Sequence, residues 1–322
     1  MSDTSDEAVA SDDVTVQVVL PVEAPERPYL DPDDPMTDLR LGVEAALLAL
    51  SSHFDFPNAF GGIAATDLFA LNTLLGAGIE VEVVRTLNGL RELWDPDKRW
   101  SDYTFERSSQ SFPDVRLTTR RSGTADTILG IELKGWYLFA KEGVPSLRYK
   151  VAPAACAPHD LVCVVPWYLS NAVSGVPEVT TPWVESARYA AEYRDHWWQH
   201  IRRTTSDASV TYPPDATPYP AKADLVSAVP ASDGGDNYGR LPRAKPLMDE
   251  FITSSMAFEV LGIPASSWVT FLKTHSDRAE PEEIVRQLEA RLRTRGVKGE
   301  GQAQDVATAV LQIAKAFGVT DE

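Results

Sequence analysis

The chain has 322 residues, 43% of them hydrophobic, enough material for one large domain or two small ones. Its formal charge of −17 lacks the basic footprint of a nucleic-acid binder, but residues 1–38 hold eleven acids against one base, Arg27, leaving only −7 for the rest. Two cysteines exclude a disulfide framework, and with no apolar run of about 18 residues and no charged-then-apolar opening, a soluble cytoplasmic protein is expected.

Residues 1–35, rich in Asp, Ser, Pro and Val, read as a mostly disordered acidic tail, either simply solvated or competing with DNA phosphates for a basic cleft. A short amphipathic helix is predicted over 39–50, and "NAFGG" then breaks the chain. "ATDLFALNTLLGAG" (65–78) reads as a helix with a glycine stop. A longer helix follows over 79–94, with Ile79, Val83, Leu87, Leu90 and Trp94 on one face. Glu80 falls inside that apolar arc and Glu82 at its edge. Strand-like runs come at 103–110, 115–119, 127–134, 147–151 and 161–167, the last nearly all apolar, as a strand buried on both faces should be. Residues 184–203 form an aromatic-rich helix, 206–240 a long Pro/Asp-rich loop, and helices near 248–260, 282–293 and 305–317 close the chain. The expected architecture is α/β: a mixed β-sheet core over 36–205 flanked by helices, with a helical region over 241–322 packed on it.

The chemistry concentrates in "FPDVRL" and "ILGIELKGW". Alternation along a strand puts Glu132 and Lys134 on one face, about 6–7 Å apart at their Cα atoms. Asp114 opens the preceding strand straight after Pro113, and if the two strands are hairpin neighbours it can come beside Glu132. Two converging carboxylates make an oxygen-rich site for a hard divalent cation such as Mg²⁺, and a lysine beside them can position an attacking water and balance developing charge.

Pro113-Asp114 followed by Glu132-Leu133-Lys134 inside an apolar strand resembles the PD-(D/E)XK nuclease superfamily, and the text from "FERSSQSFPDVRL" to "GIELKGWYLFAKEG" is similar to bacterial restriction-endonuclease-type proteins. The resemblance implies a restriction-endonuclease-like fold. It implies a Mg²⁺-dependent endonuclease acting on double-stranded DNA, with Asp114 and Glu132 as metal ligands and Lys134 as the catalytic lysine. The superfamily often adds an acid from the helix before the sheet. Glu80 is the candidate, with Glu82 second, and Gln110 could approach from the preceding strand. A homodimer, one site per strand, and a cognate DNA methyltransferase encoded nearby fit a restriction role. A repair or modification-dependent nuclease of the same fold, or a DNA-binding module that has lost catalysis, are the alternatives.

For DNA, Arg148 and Lys150 alternate with Leu147, Tyr149 and Val151, so one face of that run is basic. "GRLPRAK" places Arg240 and Arg243 just beyond the Gly-rich "DGGDNYG" turn, where arginine can bind phosphate or read guanine. Arg202 and Arg203 suit the end of a helix without any ligand. His196 and His200, four apart, lack the further ligands of a zinc site and read as packed or capping residues. Cys156 and Cys163 read as reduced, partly buried thiols.

Overall fold

The computed structural model describes residues 16–18, 20–61, 71–108, 111–119, 126–202, 206–220, 223–233, 235 and 237–274. Its centre is a six-stranded mixed sheet in the order β2 (Thr104–Arg107), β3 (Val115–Thr119), β4 (Asp126–Tyr137), β5 (Leu161–Leu169) and β6 (Pro177–Val179), with β7 (Trp183–Ser186) also pairing β5. The pairs β2–β3 and β3–β4 are antiparallel, β4–β5 is parallel, and β6 and β7 run antiparallel to β5. The protein is thus mixed α/β, as expected. β5 is buried along nearly its whole length, in keeping with its unbroken apolar run. A parallel neighbour requires a crossover, which residues 138–160 make with only a short 3₁₀ turn at Pro153–Ala155.

Helix Pro35–Leu48 begins behind Asp34, whose carboxylate accepts the Met36 N–H at 2.9 Å, with Pro35 at the first helical position. The helix Leu71–Gly89 packs against β4 and buries Ile79, Val83 and Leu87 in the core. It runs straight through Gly76 and Gly78, so the expected glycine stop is not used. Glycine costs a helix interior about 1 kcal/mol, but at Gly78 a side chain would stand 3.2 Å from the Phe56 ring, so the missing Cβ admits a packing contact. The break comes later, at Leu90, and Arg91–Trp94 forms a separate turn.

Other expectations shift with tertiary partners. The first residues of the predicted helix 184–203 are taken by β7, because Val184, Glu185 and Ser186 pair with the edge of β5. Helix Ala187–His196 then starts with the Ser186 side chain accepting the Tyr189 N–H at 3.3 Å. Residues 147–151 keep their alternation, with Leu147, Tyr149 and Val151 buried and Arg148 exposed, yet they form no strand. They make only isolated bridges, Arg148 to Arg240 and Val151 to Ser227. Among the described residues of the expected tail and loop, some pair into strands. Val16–Val18 (β1) pairs antiparallel with Val210–Tyr212 (β8), which pairs in turn with Val229–Pro230 (β9). Further along that segment, Arg27 meets Glu185 at 2.8 Å. Helix Asp249–Ala257 matches the expectation near 248–260, and Ala265–Thr274 is a helix that the pattern missed. The helices expected near 282–293 and 305–317 lie outside the described residues, as do Gln110 and Arg203. Among the described residues no helix is long and apolar enough to cross a membrane.

Candidate active site

The register of β3 on β4 pairs Val115 with Ile131 and Arg116 with Gly130, and one step further Asp114 stands across from Glu132. Alternation places Gly130, Glu132 and Lys134 on one face of β4. The parallel register sets Val162 beside Glu132 and Val164 beside Lys134, so the polar pair has apolar flanks. The structure brings all three motif residues together. Lys134 Nζ lies 2.9 Å from Asp114 Oδ2 and 3.0 Å from Glu132 Oε1. The Leu133 N–H donates to the same Asp114 oxygen at 3.2 Å, fixing that carboxylate against the strand.

Glu132 is buried, whereas Asp114 and Lys134 are half-buried and reachable. Burial pushes the Glu132 carboxyl up to about 7; Lys134 opposes that shift and Asp114 adds to it. Burial alone would lower the Lys134 ammonium, but the two carboxylates outweigh it and hold it above its ordinary value. The cluster therefore has a cationic amine seated between two acids, and burial favours the protonated form of the deeper one, Glu132.

A pocket of roughly 180 Å³ opens beside Lys134, lined by Gly76, Ala77, Glu80, Gly135, Ser146 and Leu147 among others. Glu80 thus faces the same space as Lys134, but its carboxylate is held by Arg107 at 2.9 Å. The helical-wheel ranking of the two acids is reversed in the fold. Glu82 is the buried one, paired with Arg85 at 2.7 Å, and Glu80 is half-buried at the rim. The wheel assumes one uniform buried arc, whereas this helix meets the sheet through its second half and the pocket through its first.

What holds Asp114 in place was not legible as a motif. A Cβ on Gly130 would stand 2.2 Å from Pro113 Cγ, 3.0 Å from Asp160 Oδ1 and 3.2 Å from the Tyr219 ring. Pro113 therefore rests directly on the glycine and delivers the next residue, Asp114, toward Glu132. Beneath it, fully buried Asp160 accepts from the Gly130 N–H at 2.7 Å, the Ala157 N–H at 2.8 Å and the Tyr219 hydroxyl at 2.7 Å. Arg116 stacks 5.4 Å from the Tyr219 ring centre. An isolated glycine inside a strand is the one sequence signal for such close approach.

Of the residues expected to touch DNA, Arg148 and Arg243 are exposed and Lys150 and Arg240 half-buried. Lys150 has Asp233 at 3.7 Å, and Arg243 donates to the Asn237 side chain. The rings of His196 and His200 lie 5.2 Å apart, and His200 meets the Leu20 carbonyl at 3.2 Å, a packing role. Arg202 stacks on Trp198. Both cysteines are free and buried, and burial pushes the Cys156 thiol up to about 12. No group of three or more His, Cys, Asp or Glu residues arranged to hold a metal occurs among the described residues. The carboxylates of Asp114 and Glu132 are the donor set available at this site. The chain matches no protein-family model, no curated protein and no solved structure.

Proposed function

We propose that Asp114, Glu132 and Lys134 form the active site of a Mg²⁺-dependent endonuclease of the PD-(D/E)XK, restriction-endonuclease-like type, hydrolysing phosphodiester bonds in double-stranded DNA. The observation that carries this reading is one ammonium within 3.0 Å of two carboxylates, one on β4 and one at the entry to β3, beside a pocket. A pair of carboxylates suits Mg²⁺, which keeps several waters and takes its remaining ligands from substrate phosphate. Asp114 and Glu132 would hold the ion. When bound, Mg²⁺ would polarise a phosphate oxygen and make an attacking water more acidic.

The chain's own residues do the rest. Buried Glu132 presents its carboxylate from a rigid central strand, and the Leu133 N–H keeps Asp114 turned toward it. Lys134 remains charged between them, donating to the attacking water and offsetting the negative charge that grows on the phosphoryl oxygens. Water adds to phosphorus and gives up a proton, one P–O ester bond breaks, and the departing oxygen takes a proton. Glu80 lines the same pocket and is the helix acid placed to join the site, with Arg107 as its partner. A homodimer would set one such site against each strand of the duplex, and a restriction role would pair the enzyme with a DNA methyltransferase.

Digestion of unmodified plasmid and phage DNA with and without Mg²⁺ tests the reading. Discrete fragments with Mg²⁺, none in EDTA, and none from Asp114→Ala or Glu132→Ala are expected. Fragments confined to modified or damaged DNA would favour the repair or modification-dependent alternative. Intact DNA throughout, with tight binding, would leave a DNA-binding module.

A further inference from the structure

The pocket wall Pro145–Ser146–Leu147 runs directly into Arg148, Tyr149 and Lys150. Residues 143–151 contain no acid, and neither do residues 237–245, which carry Arg240, Arg243 and Lys245. In a chain of charge −17 these are two conspicuously cationic stretches, and the fold joins them edge to edge. Arg148 bridges Arg240, and the Tyr149 N–H donates to the Gly239 carbonyl at 2.7 Å. Gly239 has φ +81°, and a Cβ there would meet Lys150 Cγ at 2.8 Å, so only glycine lets the stretches lie this close.

Beneath the seam sits the buried pair Arg194–Asp195. Arg194 Nε and Nη2 each donate to an Asp195 oxygen at 2.8 Å. Arg194 Nη1 reaches the carbonyls of Tyr149 at 2.6 Å and Val151 at 3.0 Å. The Tyr238 hydroxyl donates to Asp195 at 2.5 Å and the Tyr212 hydroxyl at 2.7 Å. One ion pair thus grips both cationic stretches. A buried pair of this kind adds little net stability relative to apolar packing; what this one visibly does is tie the Tyr149 and Val151 carbonyls and the Tyr238 hydroxyl to one fixed point.

We propose that the Arg194–Asp195 pair is a positioning device that holds Arg148, Arg240 and Arg243 as one cationic ledge. The ledge seats DNA phosphates flanking the one that enters the pocket beside Lys134. This rests on the nuclease reading for its ligand. Asp233 lies 3.7 Å from Lys150, Asp249 lies 3.5 Å from Lys245, and Arg243 donates to the Asn237 side chain. The arginines are preferred to the lysines on geometry, because a planar guanidinium offers paired donors to phosphate oxygens where an ammonium offers a point charge.

The test titrates the full-length protein with a short DNA duplex in EDTA across a salt series, so that binding is read without chemistry. Each lost phosphate contact lowers the slope of log K against log salt by about 0.9. Arg148→Ala/Arg243→Ala should therefore flatten it by about 1.8 and weaken binding at least tenfold. Arg99→Ala, an arginine outside the ledge, should leave it alone. Asp195→Asn and Tyr238→Phe, assayed below their unfolding temperatures, should flatten the slope in proportion to how far they loosen the ledge. If Asp195→Asn does not fold, Tyr238→Phe decides. An unchanged slope in the double arginine variant would overturn the ledge, as would tighter binding to an acidic peptide than to duplex. Parental slopes in folded Asp195→Asn and Tyr238→Phe would overturn the positioning role. A parental protein that binds duplex with this salt slope yet leaves plasmid intact in Mg²⁺ would sink the nuclease chemistry while leaving the ledge standing.

Discussion

Gly130→Ala is the smallest change that should separate the site from its scaffold. The new methyl would sit 2.2 Å from Pro113 Cγ, where carbon atoms prefer 3.5–4.0 Å, so Pro113 must retreat by about 1.3 Å or more. Asp160 Oδ1 at 3.0 Å and the Tyr219 ring at 3.2 Å block relief in their directions. Overpacking of this kind costs about 1–3 kcal/mol. In a chain of this size that corresponds to a fall in Tm of roughly 2–12 °C, at about 2–4 °C per kcal/mol. The effect on chemistry should be larger, because the residue carried by Pro113 is Asp114 and a misplacement of about 1 Å can cost 10²-fold. Circular dichroism melts give the first quantity, and Mg²⁺-dependent plasmid cleavage well below Tm the second. Cleavage within threefold of the parent, with Tm unmoved, would refute the idea that Pro113 is seated on Gly130.

Lys134→Met keeps most of the apolar stem and removes the charge. It should bind DNA in Ca²⁺ with parental affinity while its cleavage rate in Mg²⁺ falls by about 10² or more, with stability lowered because two carboxylates, one of them buried, lose the cation between them; cutting within tenfold of the parent would make the lysine architectural. Tyr219→Phe deletes one hydrogen bond into fully buried Asp160 and should lower stability by about 1–3 kcal/mol in a urea titration; an unchanged midpoint would show that this hydroxyl contributes nothing. Glu80→Gln should reduce cleavage less than Glu132→Ala does, since Arg107 already engages the Glu80 carboxylate; equal losses would promote Glu80 to a metal ligand.

How much of this was readable beforehand depended on the range of the physics involved. Side chains alternate along any strand because of covalent geometry, so "IELKGW" alone places Glu132 and Lys134 on one face. Its apolar neighbours alone say that the face is near a core. The unbroken apolar run of β5 likewise announced a strand covered on both sides. Strand β3 came out at its predicted bounds, Val115–Thr119. Register is different in kind. That Asp114 faces Glu132 depends on which residue of β3 meets which of β4, and a slip of one would have turned the carboxylate to the opposite face.

The remaining decisions belonged to contacts distant in the chain. Residues 147–151 carry a strand's alternation, but a strand needs a partner ladder, and here the neighbours are a loop at Gly239 and a lone bridge at Ser227. Gly76 and Gly78 look like a helix stop until Phe56 and the adjoining pocket supply the environment that lets the helix continue. Val16–Val18 is a short run at the edge of an acidic segment that became a strand because Val210–Tyr212 was there to pair with it. Asp160 and Tyr219, 59 residues apart, meet under Pro113 and decide where the first carboxylate of the site points. Local periodicity records which faces a segment offers; which of them is used is settled by hydrogen bonds and close packing between segments that are far apart in sequence.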